Sequence, residues 1–401
     1  MLRYLPLVAV MMTASAATNT PVTYTKDVAS ILNKRCLECH RKGEVAPMAF
    51  TSYQEVRPWA KAIREAVMAR KMPPWLADPH FGVFSNDRRL SQSEVDTLVD
   101  WVAAGAPEGN PKDLPPAPEY ADGWTIGKPD VIIDIGTDFE VPATGVVPYK
   151  NFTVLTGFTE DKWIVAAEIR PDKRAVVHHV IVFMTDPGME RQAGLEGGNL
   201  LVGFAPGDPP VRFRPDTAKF LPASSKLMFQ MHYTPNGTSV KDRSYVGLRF
   251  ATTPPKLRAF TGRALNFGFV IPAGEPSHEV KASWTAKQDL NLYGLMPHMH
   301  LRGKDFKYTI VYPDGRDEVI LNVPKYDFNW QLAYEFKEPM ALPKGTRIDC
   351  VAHFDNSPNN KFNPDPAKDV RWGPQTWEEM MIGWFTYTVP AQTQVTRASN
   401  E

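Results

Sequence analysis

The chain has 401 residues, with 45 Lys and Arg residues against 45 Asp and Glu residues, and only 3 Cys. This length is typical of two or three domains, and a hydrophobic fraction of 43% excludes a disordered chain. The formal charge of zero gives no reason to expect nucleic acid as a partner, and the low cysteine count excludes a disulfide-stapled scaffold.

The N-terminus has the pattern of a secretory signal peptide. A basic start is followed by an apolar run and by Ala14-Ser15-Ala16, a small-residue cleavage pattern. The alternative is an uncleaved membrane anchor, which needs about 20 apolar residues, and the apolar run is shorter than that. We therefore expect residues 1–16 to be a signal peptide, the mature protein to be periplasmic or secreted, and no stable membrane span.

Residues 17–106 are predicted to be helical. Two capping boxes, at 52–55 and 91–94, each precede a stretch with apolar residues at helical spacing. A Pro-rich stretch over 107–128 is typical of a linker between domains.

The helical region contains Cys36-Leu37-Glu38-Cys39-His40, the attachment pattern of c-type haem. Two thiols at this spacing add to the two vinyl groups, and the adjacent His is placed beneath the iron as the proximal ligand. A redox pair does not need the His, and the sequence has no second Cys pair to complete a zinc site. The pattern predicts one covalent haem c.

A methionine is expected as the second axial ligand, because Met raises the haem potential. Met72 is the first choice, since it follows a predicted helix and the prolines after it hold an extended loop. Met48, which follows Pro47, is the competitor. The arrangement resembles small class I cytochrome c domains over roughly residues 20–110, whose Lys-Met-Pro-type axial loop matches Met72.

After the linker the hydrophobic period changes to two, so the rest of the chain is predicted to be all-β. No helical pattern of comparable strength lies between the predicted strands, which favours antiparallel sandwiches over a parallel sheet. About 260 residues is large for one sandwich. We therefore expect a multidomain chain: an all-α cytochrome c domain, then two jelly-roll-like sandwich halves at 129–275 and 276–390, and a tail at 391–401.

Five histidines fall in three compact motifs on predicted strands. Any one alone is more simply explained as a hydrogen-bonded core histidine, but the cluster favours a metal. His298 and His300 are two residues apart, so a strand places both rings on one face. His178 and His179 are adjacent and can share one metal only if the backbone is irregular, as at a β-bulge. The fifth is His232. Imidazole and thioether ligands without thiolate suit copper better than structural zinc.

The remaining cysteine and histidines are not expected to bind metal. Cys350 and His353 suggest a blue-copper pair, but such a site needs a second His and usually a Met on the same short loop. We interpret Cys350 as a buried structural residue and His353 as a polar residue with its hydrogen bonds satisfied. His80 and His278 lie in loop-like contexts and are predicted to be non-ligands.

The β region resembles the copper type II, ascorbate-dependent monooxygenases, the family of peptidylglycine hydroxylating monooxygenase and dopamine beta-hydroxylase. The order and rough spacing of four elements agree with the family over about residues 130–390. The matched elements are His178-His179-Val180-Ile181-Val182-Phe183 with His-His-Met-x-x-Phe, Met231-His232-Tyr233 with Val-His-Tyr, His298-Met299-His300-Leu301-Arg302-Gly303 with His-Thr-His-x-x-Gly, and Glu378-Glu379-Met380 with Asp-Glu-Met.

This resemblance implies two copper centres, one in each sandwich half. The first would be an electron-storing copper, held by His178, His179 and His232. The second would be the catalytic copper that binds oxygen and abstracts hydrogen, held by His298, His300 and Met380.

The chain departs from the family at the places that contact substrate. Peptide-amidating members grip a substrate carboxylate with Arg, Asn and Tyr at the positions that Met296, Ile382 and Trp384 occupy here. A peptidyl-glycine substrate is therefore not expected, and an apolar or aromatic substrate fits these side chains better.

The sequence as a whole predicts an exported, haem c-linked copper monooxygenase. It would hydroxylate a C–H bond of a small organic substrate with O2, and electrons from an external donor would pass through the cytochrome domain. The alternative is a non-enzymatic electron-transfer or copper-binding protein, which substrate-dependent oxygen uptake would distinguish. A third interpretation, a haem-bearing interaction module with an inert sandwich, predicts no copper.

Overall fold

The computed structural model describes residues 21–42, 44, 46–120, 123–187, 199–205 and 209–392. The chain divides into two compact units: a helical unit that ends at 117, and a β-rich unit that includes 43–47, 72–89 and the chain from 118 onward. The predicted signal peptide lies outside the described residues, as does most of the predicted tail. None of the described helices is long and apolar enough to cross a membrane.

The part of the helical unit that the structure describes, from residue 21 onward, has four α-helices and three single turns. Its best-defined helix begins with a complete capping box, in which Ser91 Oγ accepts from the Glu94 amide at 3.1 Å and a Glu94 carboxylate oxygen accepts from the Ser91 amide at 2.7 Å. The elements are α1 Ala29–Arg35, α2 Tyr53–Val56, α3 Ala60–Met68 and α4 Gln92–Ala103, with a π turn at Tyr24–Val28 and 3-10 turns at Arg57–Trp59 and Pro111–Asp113.

The predicted fold class is wrong, because the structure has no all-α cytochrome c domain over 17–106. The chain is mostly β, with 38% strand against 12% helix. The longest helix, α4, has 12 residues. Residues 72–89, inside the predicted domain, belong to the β-rich unit, where Trp75 and Phe84 are buried in a β-sheet core. Capping signals mark where a helix begins, but burial in a distant sheet decides which unit a segment joins.

In its described residues, the β-rich unit contains 21 strands. They are β1 Val131–Asp134, β2 Phe139–Val141, β3 Lys150–Leu155, β4 Lys162–Arg170, β5 Val177–Thr185, β6 Asn199–Phe204, β7 Val211–Arg212, β8 Thr217–Leu221, β9 Lys226–Tyr233, β10 Val240–Asp242, β11 Tyr245–Phe250, β12 Leu257–Leu265, β13 Val270–Ile271, β14 His278–Thr285, β15 Leu290–His298, β16 Gly303–Val311, β17 Asp317–Val323, β18 Tyr334–Leu342, β19 Arg347–Phe354, β20 Val370–Arg371 and β21 Ile382–Pro390.

One nine-stranded sheet runs through this unit in the order β1-β11-β4-β8-β12-β21-β15-β18, with β7 paired to β4. The four-stranded sheet β3-β9-β5-β6 packs over one part of it, and the four-stranded sheet β14-β19-β16-β17 packs over the other. The two parts join where β8 pairs with β12 in parallel. Each part therefore has its own hydrophobic core on one continuous sheet, and a smaller apolar cluster that includes Phe183, Met380 and Trp384 lies in the same unit.

Alternation along the strands explains why these sequences form a sandwich. On β16 the side chains of Phe306, Tyr308 and Ile310 are fully buried, while Lys307 between them is exposed. The period of two seen in the sequence thus places one apolar face against the core.

The segment 72–89, which we name the strap, lies along the edge strand β18. The Ser85 amide donates to the Glu335 carbonyl at 2.7 Å, and the Lys337 amide donates to the Val83 carbonyl at 2.8 Å. Phe84 pairs with Phe336 between these two bonds, and the two rings stack at 5.3 Å. The strap therefore covers part of an exposed strand edge and fills the core beside it.

Candidate metal centres

Three histidines meet at a break in the regular pairing of β5 with β9. His179 lies opposite His232, but Val177 lies opposite Tyr233, so the register shifts by one residue at His178. His178 is the extra residue of a β-bulge. The irregular backbone that two adjacent histidine ligands require is thus confirmed.

The ring nitrogens of these three residues converge. The Nδ1 atom of His179 lies 3.3 Å from the Nδ1 atom of His178 and 3.3 Å from that of His232. A metal about 2.0–2.1 Å from each nitrogen, with near-tetrahedral angles, sets the nitrogens about 3.3 Å apart. The spacing fits a single ion bound by three imidazoles.

Burial keeps these imidazoles uncharged. It lowers the pKa of His178, and it lowers the pKa of His179 well below its usual value, with a further contribution from the neighbouring His232 and His178. Burial, aided by His178, lowers the pKa of His232 to about 3. The neutral form is the one that binds a metal, so the group is ready to bind at neutral pH.

The second pair of histidines lies where β15 ends. The Nδ1 atom of His298 donates to Gln331 Oε1 at 2.5 Å, and the Nδ1 atom of His300 donates to the Glu378 carbonyl at 3.1 Å. The Nε2 atoms of both rings are buried and have no hydrogen-bond partner among the described residues. An Nδ1–H bond of this kind fixes the tautomer and leaves the Nε2 lone pair for a metal.

Met380 lies next to this pair through β21. His298 is opposite Ile382 in the antiparallel β15–β21 ladder, so two further residues in each direction bring His300 level with Met380. The neighbouring Glu379 accepts from the His300 amide at 2.8 Å. Met380 itself is buried. The three residues that the family resemblance assigns to one metal therefore lie on adjacent backbone segments.

A buried polar network holds this turn in place. Glu379 also accepts from the Arg302 amide at 2.6 Å, and the Arg302 guanidinium donates to Asn356 Oδ1 at 2.8 Å and to the Trp377 carbonyl at 2.9 Å. Burial raises the pKa of Glu379 to about 8. The network ties the His298–His300 turn to the segment that carries Met380.

Sequence reasoning missed the supporting residues. Glu379 and Arg302 lie inside the matched motifs, so their position next to the ligands was a usable signal. Gln331 had no such signal, because it lies 33 positions from His298 and meets it only through the fold.

One cavity of about 50 Å³ is lined by residues of both histidine groups, among them His178, His179 and His298. The Phe328 ring lies between the groups, 6.0 Å from the His178 ring and 6.0 Å from the His300 ring. Phe328 thus contacts a histidine of each group and forms part of the wall of this cavity.

Tyr149 is a second link between the groups that the sequence did not reveal. Its ring lies 5.2 Å from the His179 ring and 4.7 Å from the His232 ring. Its hydroxyl accepts from Thr376 Oγ1 at 3.1 Å, in the loop that leads to Met380. Tyr149 therefore joins the three-histidine group to the loop of the second group.

The haem-attachment motif forms a turn directly after α1, in the helical unit. The His40 amide donates to the Cys36 carbonyl at 2.9 Å, and His40 Nδ1 donates to the Met48 carbonyl at 3.2 Å. Neither Cys36 nor Cys39 forms a disulfide with another described residue. Burial and the neighbouring Cys39 raise the pKa of Cys36 to about 12, which does not suit a reactive redox pair. The fixed Nδ1 leaves His40 Nε2 for iron, so these residues fit a covalent haem.

The second axial haem ligand stays a prediction. The Met48 backbone lies on the side of the His40 ring, and its side chain packs in the same core as Cys36. Met72 is the first residue of the strap and is half-buried in the β-rich unit.

The residues set aside as non-ligands have ordinary environments. Cys350 is fully buried, as predicted, and burial raises its pKa well above the usual range. His353 Nδ1 donates to Asp305 at 2.7 Å, and His80 pairs with Asp78 at 2.7 Å. His278 begins β14 rather than lying in a loop.

Comparison with known proteins adds no family. No protein-family model matches the chain, and no curated protein matches it significantly. Similar solved structures include the major capsid protein P2 of bacteriophage PM2, at 8% identity over 65% of this chain and 98% of that chain, with a TM-score of 0.29. Another is allantoicase, at 10% identity over 54% of this chain and 79% of that chain, with a TM-score of 0.17. Scores this low carry no argument about fold or function.

Proposed function

We propose that this protein is an exported, haem c-linked copper monooxygenase. It would hydroxylate a C–H bond of a small organic substrate. The observation that carries the proposal is the pair of buried imidazole groups around one cavity. One group has nitrogens at the spacing of a single metal, and the other has two buried Nε2 atoms without partners.

Copper, when bound, would supply electron storage at one group and dioxygen activation at the other. Three imidazoles without a thioether, from His178, His179 and His232, suit an ion that only changes its charge. The thioether of Met380 beside His298 and His300 suits the reduced ion that must meet oxygen. The donor sets therefore support two different roles for chemically similar sites.

The reaction balances as one C–H bond, one O2, two electrons and two protons giving one C–OH group and one water. The chain's own contribution is to position the imidazoles and to form the walls of the cavity. Gln331 and Glu378 hold the two imidazoles through their Nδ1 atoms, and Phe328 lines the cavity that the two groups share.

A covalent haem on Cys36, Cys39 and His40 would take electrons from an external donor. It would replace or supplement ascorbate as the reductant. The signal-like N-terminus supports a periplasmic or secreted location, where substrate and donor would both be found.

The metal content of the purified holo protein tests the proposal. We expect one haem and two coppers, and copper- and substrate-dependent oxygen uptake. His300→Ala and Met380→Ala should each abolish that uptake while the haem spectrum stays unchanged, and His278→Ala serves as the matched control. Haem without copper after copper loading contradicts the proposal. Two bound coppers with no uptake for any substrate point to the electron-transfer alternative.

A further inference from the structure

A larger cavity lies beside the one shared by the histidine groups. Its volume is about 180 Å³, and we name it the Lys219 cavity. Met296 and Trp384 line both cavities, as do Leu200 and Gly203. These four residues therefore lie between the Lys219 cavity and the cavity that the histidine groups share.

The floor of the Lys219 cavity is one face of the nine-stranded sheet. Alternate residues of neighbouring strands point into it: Lys219 from β8, Thr261 from β12, and Trp384 and Thr388 from β21. The segments 200–203 and 209–214 form part of its walls. The sheet thus fixes the relative positions of the groups that a ligand would contact.

The size of the cavity limits the guest. An engineered apolar cavity of about 150 Å³ in another protein binds benzene. The Lys219 cavity is slightly larger, so one ring with a small substituent fits it.

The apolar walls are matched to a flat hydrocarbon ring. Trp384, Met296, Tyr293 and Phe213 all line the cavity. Aromatic rings pack favourably against such side chains, and the thioether of Met adds a sulfur–aromatic contact.

The polar groups in the cavity point to an acceptor on the ligand. Lys219 is only 3% exposed, and its ammonium donates to the Leu200 carbonyl and to Thr261 Oγ1 at 2.7 Å. An ammonium has three hydrogens, so one is left for a ligand. The Thr388 hydroxyl is buried and has no partner among the described residues.

The charges around the cavity favour an anion. Arg214 and the exposed Arg212 line it together with Lys219, and the exposed Glu335 is the acid among the lining residues. Three cations against one acid give a positive potential at the entrance and inside.

We propose that the Lys219 cavity binds a small aromatic carboxylate of one substituted ring as the substrate. Its ring would pack on Trp384 and Met296, and its carboxylate would accept from Lys219. The end of the ring opposite the carboxylate would then face the histidine cavity. This inference rests on the proposed function, because it names the substrate of that site.

Calorimetric titration of the copper-loaded, oxidised protein without reductant tests the inference. We expect 4-ethylbenzoate to bind, the neutral 4-ethylbenzamide to bind more weakly, and the cationic 4-ethylbenzylamine not to bind. Lys219→Met should weaken 4-ethylbenzoate binding by a factor on the order of 10–100, because a charge-assisted hydrogen bond is lost. Its effect on 4-ethylbenzamide should be smaller, because the amide oxygen accepts a hydrogen bond but carries no net charge.

Two further variants separate a lost contact from a damaged fold. Ala259→Leu fills the cavity from its floor without changing a charge and should abolish binding of both neutral and anionic compounds. Lys256→Met removes an exposed lysine paired with Asp216 and should leave all affinities unchanged. Equal binding of 4-ethylbenzoate and 4-ethylbenzylamine overturns the inference, as does unchanged affinity in Lys219→Met.

Turnover distinguishes this inference from the proposed function. With a reductant, 4-ethylbenzoate should be hydroxylated at its benzylic carbon. The protein could bind two coppers and take up oxygen with other substrates, but fail to bind 4-ethylbenzoate. That result overturns the proposed substrate class and leaves the proposed function standing. Tight 4-ethylbenzoate binding to a protein that takes up no copper overturns the monooxygenase proposal alone.

Discussion

At the scale of single residues, the second histidine pair depends on hydrogen bonds that the chain makes at long range. His298 and His300 each donate from Nδ1 to a fixed oxygen, so their Nε2 atoms are left buried and unpaired. A buried ring nitrogen without a partner costs free energy. That cost is tolerable where a bound metal offsets it.

Glu379 is the residue whose loss should most disturb this pair without removing a ligand. Glu379→Ala leaves the buried amides of His300 and Arg302 unpaired, and removes the acid next to the Arg302 guanidinium. We expect copper affinity at the second centre to fall by a factor on the order of 10–100 and the free energy of unfolding to fall by about 3 kcal/mol.

Copper titration and urea unfolding measure these two effects. Glu379→Gln, which keeps one acceptor oxygen, should recover part of both, and the exposed Glu338→Ala is the matched control. Wild-type copper affinity in Glu379→Ala would show that the turn is held by other contacts.

Lys219 predicts a pH dependence of ligand binding. Burial lowers its pKa to about 7. A carboxylate needs the protonated ammonium, so 4-ethylbenzoate affinity should be constant below about pH 7 and fall as pH rises above it. Arg212, Arg214, Tyr293 and Tyr334 also line the cavity, and Glu335 is the one carboxylic acid among the described lining residues.

Titration calorimetry between about pH 6 and pH 9 measures this profile. The 4-ethylbenzamide profile should be flat, and Glu335→Gln should keep the wild-type shape. If Glu335→Gln shifts the pH profile and Lys219→Met does not, the pH dependence comes from Glu335, which contradicts the prediction.

At the scale of elements, irregular features place the functional residues. The bulge at His178 turns two adjacent side chains toward one point, which a regular strand forbids. The strap adds backbone bonds and aromatic rings to the edge of β18. The bulge interrupts the two-residue alternation of β5, and the strap interrupts the predicted helical region. Each depends on pairing with a neighbouring strand, β9 for the bulge and β18 for the strap.

Phe84 tests the place of the strap in the β-rich unit. Phe84→Ala removes a buried ring that contacts Trp75, Tyr334 and Phe336, and should lower the free energy of unfolding of this unit by about 3–5 kcal/mol. The adjacent Val83 is 69% exposed, so Val83→Ala should change it by less than about 0.5 kcal/mol.

Urea unfolding measures this change in the free energy of unfolding, and limited proteolysis measures how readily residues 72–89 are cleaved. Phe84→Ala should make the strap cleavable at lower urea concentrations than the wild type. Equal effects of the two substitutions would mean that the strap does not contribute to the sheet core.

At the scale of the whole molecule, the chain separates a haem-attachment motif from two candidate copper centres. The motif lies in the helical unit, and all six predicted copper ligands lie in the β-rich unit. Ligand binding stabilises the folded state that holds the site, by about 2.7 kcal/mol at a concentration 100 times the dissociation constant.

Copper should therefore protect one unit and not the other. Hydrogen exchange is expected to slow in β5, β9, β15 and β21 on copper addition and to stay unchanged in α3 and α4. Magnesium, which prefers oxygen ligands, is the control ion and should protect neither. Equal protection of α4 by copper would show that copper binds outside the histidine groups.

The sequence by itself determined the features that depend on local chemistry. The spacing of Cys36, Cys39 and His40, the capping box at Ser91 and the two-residue period of β16 each follow from neighbours along the chain. The need for a bulge at His178 also followed from sequence alone, because adjacent residues on a regular strand point apart.

Only the tertiary structure decided the features that depend on contacts between distant segments. The strap joined the sheet core and not a haem domain, since Phe84 finds its partners about 250 positions away. Gln331 reaches His298, and Lys219 becomes buried beside Thr261, for the same reason. The local sequence pattern determines which side chains can be buried or can bind a metal. The packing of the whole sheet determines which of these side chains meet.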